Sequence, residues 1–144
     1  MEAADVAAWY PRRPPQAHKW QAGLWVIGGR PGLEGAAVLA ASAALRAGAG
    51  YVRWSAPGGV PATAKPLEVV ATALPETGWA QVVLAEQHRF RSIVVGNGLG
   101  LDPATGAELR QLVDGAEVPV VVDADALTLL GEQAAEVVGP ATVL

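Results

Sequence analysis

The sequence predicts an α/β fold, a mostly parallel sheet flanked by helices on both faces. Three observations predict it. Short runs rich in Val, Ile and Trp alternate along the chain with Ala- and Leu-rich stretches that favour helix. The Val/Ile runs are near-continuous rather than alternating, as strands buried on both faces should be. Most of these runs close on a glycine-rich corner, as in VIGG, SAPGG and VVGNG.

Taken in order, residues 2–9 (EAADVAAW) have the composition for two helical turns. The prolines of YPRRPP then stop any helix and favour an extended segment. We therefore divide the chain into a lead-in, residues 1–17, and one domain, residues 18–144. GLWVIGG (23–29) is a buried strand that ends in a turn. Ala and Leu from about residue 33 to residue 47 predict a helix, and its apolar stretch AAVLAASAAL (36–45) predicts that it is buried. YVRWSAP (51–57) is a second strand and LEVVATAL (67–74) a weaker third. A helix follows in WAQVVLAEQHRF, a strand in RSIVVGN, a helix in PATGAELRQLVDG, a strand in VPVVVDADAL and a helix in LTLLGEQAAEVVG. ATVL begins a further strand, and the β-α-β pattern breaking off there leads us to expect part of a larger domain. Trp25 and Trp54 should fill the core, whereas Trp9, Trp20 and Trp79 stand near element boundaries.

Bulk properties narrow the function. A chain of 144 residues calls for one core. The net charge is −4 with no basic stripe, which argues against nucleic acid as a partner. The absence of cysteine excludes disulfides and thiolate metal sites and fits a reducing cytosol. AAVLAASAAL is far shorter than the roughly 20 residues a spanning helix needs. The start lacks the basic-then-apolar order of a secretory leader. The expectation is a cytoplasmic protein with no membrane partner.

In parallel sheets ligands sit beyond the C-terminal ends of the strands. Three glycine corners fall there: GGRPGLEGA (28–36), SAPGG (55–59) and GNGLG (96–100). Glycine lets backbone N–H groups approach an anion or a planar ring, and a following helix start adds partial positive charge. Neither G-x-G-x-x-G nor G-x-x-x-x-G-K-[ST] occurs, so the corners are neither a dinucleotide fingerprint nor a P-loop. Tight strand-to-helix geometry alone also accounts for them. Asp123 and Asp125 follow the VVV strand, where a carboxylate faces the crevice; capping the next helix, or bonding nearby backbone, is the alternative. His18 with Lys19, and His88 beside Arg89 and Arg91, read as solvated surface. No catalytic triad and no metal-ligand spacing is present.

HKWQAG, VIGGRPGLEGAAVLAASAALRAGAGYVRWSAP, VVGNGLG and VPVVVDADALTLL, in this order, resemble the ADP-dependent NAD(P)H-hydrate dehydratases. The resemblance runs from about His18 to Leu144 and implies a ribokinase-like fold. It implies a lyase reaction of nucleotide repair: loss of water from the S form of a hydrated nicotinamide ring, restoring NADH or NADPH. ADP (or ATP) and Mg2+ would serve the complete domain. Position by position, it implies that Ala36 and Gly98 line the substrate pocket, with a Cβ at Gly98 colliding with substrate. Gly35, Gly96, Asn97, Gly100, Asp123 and Asp125 would shape the floor and edge of the same crevice. The lead-in resembles the connector to an NAD(P)H-hydrate epimerase domain in two-domain members, and a homo-oligomer is expected.

The chain departs from the family pattern at Asn97, where proline is usual, at Trp20 after His18-Lys19, where glycine is usual, and in GGRPG, which replaces a Gly-Ser pair. The family's later segments, TPHPGE, a Lys-Gly nucleotide stretch and GTGD with its catalytic aspartate, have no counterpart here. We therefore assign no catalytic residue within the chain and expect little or no activity from these residues alone. An open apolar edge at ATVL and a partly uncovered sheet face follow, with association or marginal folding as the result. A non-catalytic binding or oligomerisation module, or a small-molecule kinase on the related scaffold, are the alternatives.

Overall fold

A computed structural model of the chain describes Glu2, Asp5 and residues 14–59 and 65–144. The helix expected over residues 2–9, with Trp9, falls outside the described residues apart from Glu2 and Asp5. Six strands make one sheet: β1 (Gly23–Ile27), β2 (Tyr51–Pro57), β3 (Val69–Leu74), β4 (Ser92–Val95), β5 (Val120–Val122) and β6 (Thr142–Val143). Every pairing is parallel, and the order is β3-β2-β1-β4-β5-β6. The helices are α1 (Glu34–Arg46), α2 (Trp79–Glu86), α3 (Pro103–Gly115), α4 (Asp125–Leu130) and α5 (Ala134–Val137). β1 lies at the centre. The chain adds β2 and β3 on one side of it, then crosses back to add β4, β5 and β6 on the other. The order therefore reverses between β1 and β4, and a crevice opens at such a reversal.

Side-chain alternation along β1 divides the core in two. Trp25 and Ile27 point to one face with Ile93, Val95, Val120 and Val122, under Trp79 and Val83 of α2, Leu109 and Leu112 of α3 and Leu130 of α4. Val26 points to the other face with Val52, Trp54 and Val69, under Ala37 and Ala41 of α1. Helices thus flank both faces, as expected. The small alanine side chains let α1 settle close onto β1 and β2.

Several expectations change in detail. The segment expected to be a buried helix buries only Ala37 and Ala41, and Leu39 is 71% exposed. One stripe of α1 docks on the sheet, and no described element covers its outer side. Trp79, expected near a boundary, is fully buried, because the first turn of α2 faces the core. The VPVVVDADAL strand is confined to Val120–Val122, since the chain turns at Asp123 and α4 begins at Asp125. The helix expected over LTLLGEQAAEVVG is broken after Leu130 by a 3-10 turn, Gly131–Gln133. β6 leaves Val143 and Leu144 each 59% exposed at the sheet edge. Among the described residues no helix is long and apolar enough to cross a membrane.

At the N-terminal ends of the strands Arg53 of β2 is buried against aromatic rings, its guanidinium 4.6 Å from the Trp25 ring and 5.0 Å from the Phe90 ring. Its charge is met by Glu86 at 2.7 Å. Burial is the largest single influence and opposes the Arg53 charge, but the hydrogen bonds and charge attraction of Glu86 and Tyr51 together outweigh it and hold the guanidinium above its ordinary pKa. The Arg53 bond in turn holds the Glu86 carboxyl below its ordinary range.

Candidate functional site

The crevice forms where β1 and β4 end side by side. The chain leaves β1 through Gly28 and Gly29 and leaves β4 through Gly96, Asn97 and Gly98, and the two exits are tied together by their backbones. Gly96 N donates to Ile27 O at 3.1 Å, Gly29 N to Asn97 O at 2.7 Å and Arg30 N to Gly98 O at 2.9 Å. Close approach explains two of the glycines. A Cβ at Gly96 would stand 1.9 Å from the Asp123 carbonyl oxygen. A Cβ at Gly98, whose φ is +65°, would stand 2.2 Å from the Leu33 carbonyl oxygen. The collision expected with substrate at Gly98 is thus met first by the protein itself, by the residue that precedes α1.

That contact carries the first turn of α1 to the same rim. Gly35 and Ala36 are both exposed there, and a Cβ on Gly35 would meet nothing within 4 Å. The third contribution comes from the turn after β5. Asp123 accepts from Asn97 Nδ2 at 2.7 Å and from Ala124 N at 2.8 Å. Asp125 accepts from the backbone N of Gly100 at 2.8 Å. Neither carboxylate caps α4 at its N-cap position, which is held by Ala124. Asp123 instead bonds the neighbouring backbone and the Asn97 side chain, Asp125 bonds the backbone of Gly100, and together they pin the β4 and β5 exits to each other. Between them Ala124 has φ 51°, the one non-glycine residue with positive φ among those described, a conformation that costs about 1–3 kcal/mol and persists where surroundings enforce it.

All eight residues singled out from the sequence therefore gather at one end of the sheet, on the exits of β4 and β5 and the first turns of α1 and α4. Arg30, which belongs to none of those assignments, lies on the same rim. Its Nη2 donates to Glu76 Oε1 and to Thr105 Oγ1, each at 3.2 Å, linking the β1 exit to the loop after β3 and to the first turn of α3. Only its position in GGRPG, as the cation within a glycine corner, could have marked it. Two buried polar atoms on the rim have no partner, Arg30 Nε and Asn97 Oδ1.

Chemically, the rim offers backbone amides, two carboxylates and one guanidinium to a polar planar ligand. Among the described residues no group of three or more His, Cys, Asp or Glu side chains is placed to hold a metal ion. A groove of about 370 Å³ lies at the opposite end of β5, lined by residues such as Val113, Val118, Val137 and Pro140. None of the eight residues lines it, and strand-end geometry favours the rim as the functional place.

Known proteins resemble this chain in sequence and in fold. The model of the NAD(P)H-hydrate dehydratase family matches residues 24–143. The chain is 41% identical over 138 residues to the bifunctional NAD(P)H-hydrate repair enzyme Nnr of Salinibacter ruber, covering 88% of this chain and 26% of that protein. It is 37% identical over 130 residues to the ADP-dependent (S)-NAD(P)H-hydrate dehydratase of Neisseria meningitidis serogroup B, covering 85% of this chain and 40% of the relative. The chain thus spans well under half the length of these relatives. In structure it is similar to a ribokinase-like superfamily protein from Enterococcus faecalis, with a TM-score of 0.69 at 19% identity, covering 90% of this chain and 46% of that one. A hypothetical protein from Streptococcus mutans gives a TM-score of 0.68 at 20% identity, covering 90% of this chain and 48% of that one. The fold is ribokinase-like. With the family model spanning nearly all of β1 to β6, the chain belongs to the NAD(P)H-hydrate dehydratase family.

Proposed function

We propose that this chain binds the hydrated nicotinamide end of S-NAD(P)H hydrate and contributes that half of an ADP-dependent dehydratase. One observation carries the proposal: Gly35, Ala36, Gly96, Asn97, Gly98, Gly100, Asp123 and Asp125 converge on one rim at the strand-order reversal. In this proposal Ala36 and Gly35 leave open space for the ring, while Gly96 and Gly98 let the three loops close up beneath it. Asp123 and Asp125 keep that floor rigid through their bonds to Asn97 and Gly100.

Dehydration itself belongs, in this proposal, to the complete domain, where ADP or ATP supplies the phosphoryl group that makes the ring hydroxyl a leaving group. The described residues gather no metal-ligating cluster. Nor does the rim present a group we assign as general acid or base.

Two measurements test the proposal. NADH at a hundredfold excess over its Kd should raise the melting temperature by about 8 °C, from mass action and the entropy of a domain this size. In a coupled assay with S-NADH hydrate, ADP and magnesium, the 144-residue chain should regenerate no NADH above background. Absence of any ligand-induced shift refutes the binding role. Turnover comparable to that of the Neisseria relative refutes the division of labour.

A further inference from the structure

We infer that Asn97 recognises the carboxamide of the nicotinamide ring, its Oδ1 accepting a carboxamide N–H. The inference rests on the nucleotide-binding role proposed above. Asn97 is 8% exposed. Its Nδ2 donates to the Asp123 carboxylate at 2.7 Å, and this bond settles which end of the amide is which, because the reverse orientation would set oxygen against oxygen. Oδ1 is therefore turned away from Asp123, and it is buried without a partner. A buried acceptor left unpaired is costly, and native proteins rarely leave one so.

In this inference the donor comes from the crevice, at whose rim the Gly96–Gly98 turn lies. The carboxylates beside Asn97 are acceptors already engaged by N–H groups of the protein, Asp123 with Ala124 and Asn97, Asp125 with Gly100. They also repel the phosphates of a dinucleotide, so its nicotinamide end is the end that suits this spot. A primary carboxamide presents two N–H donors on a flat group that fits between closely spaced loops.

Isothermal titration of the full chain with NADH and with reduced 3-acetylpyridine adenine dinucleotide tests it. The second ligand keeps both riboses and both phosphates but replaces the carboxamide N–H groups by a methyl. The wild type should bind NADH about tenfold more tightly, the worth of one buried hydrogen bond. Asn97→Ala should abolish the discrimination, the two ligands then binding within about twofold of each other. Asn97→Ser replaces that variant if Asn97→Ala does not melt cooperatively, and the wild-type comparison needs no variant. Equal wild-type affinities overturn the assignment while leaving nucleotide binding intact, and point to a water or a ribose hydroxyl at Oδ1. Discrimination that survives the substitution overturns it too. Failure of both ligands to bind overturns the binding role itself, and this inference with it.

Discussion

Replacing Gly98 by alanine separates two reasons for a glycine at the crevice: room for a ligand, or room for the protein. The structure favours the second. An alanine at φ +65° carries the left-handed penalty of about 1–2 kcal/mol. Its Cβ would stand 2.2 Å from the Leu33 oxygen and 2.9 Å from the Leu33 Cβ, so one loop must move. Moving it strains the Arg30 N to Gly98 O bond, which adds about 1 kcal/mol. The total is about 2–3 kcal/mol, against the 5–15 kcal/mol typical of a domain. At roughly 3–4 °C per kcal/mol for a chain of this length, ligand-free Gly98→Ala should melt about 6–12 °C below the wild type by calorimetry. Gly35→Ala is the control. It meets nothing within 4 Å, lies in α1 and gains about 0.5–1 kcal/mol of helix propensity, so it should melt at or slightly above the wild type while weakening NADH binding. A Gly98→Ala protein melting within 2 °C of wild type would refute the reasoning, since Leu33 would then impose no constraint.

Two further expectations concern stability. Glu86→Gln should cost about 1–2 kcal/mol at pH 7, a value held down by partial exposure of the carboxylate. Glu86 titrates below its ordinary value when folded, so the stability it adds is present above the unfolded value and lost as the pH falls through the folded one; urea melts of both proteins should converge as the pH falls below the ordinary carboxylate range. Ala124→Gly removes the positive-φ strain at the β5 exit and should raise stability by about 1 kcal/mol, read as a higher melting temperature; a lower one would show that the turn is unstrained.

Much of the architecture could be read from the chain because strand and helix signals here are local. The runs LWVI, YVRW, IVV and VVV become β1, β2, β4 and β5 because continuous apolar side chains have no other way to hide on both faces of a sheet. The Pro103 helix start could be read equally well, since Asp102 caps it by accepting from Ala104 N. What escaped depends on partners distant in sequence. Nothing around Arg30 announces Glu76 or Thr105, 46 and 75 residues away. Gly98 looks like a residue making way for a ligand until Leu33 is found against it. Asp123 resembles a helix cap because its true partner, Asn97, lies on another strand's exit. The inward turn of Trp79 depends on how α2 packs against α3 and the sheet, which no local pattern encodes.

The central place of β1 in the sheet has a consequence for the chain as it leaves the ribosome. Synthesis builds outward from the middle: β1, β2 and β3 emerge first, with α1 to close the small alanine-lined half of the core. Until α2 and the residues after it emerge, Trp25 and Ile27 have no cover on their side and the β4-facing edge of β1 has no mate. The nascent segment ending near Leu74 therefore presents an indole and a bare strand edge to solvent, the kind of surface that holding chaperones shield.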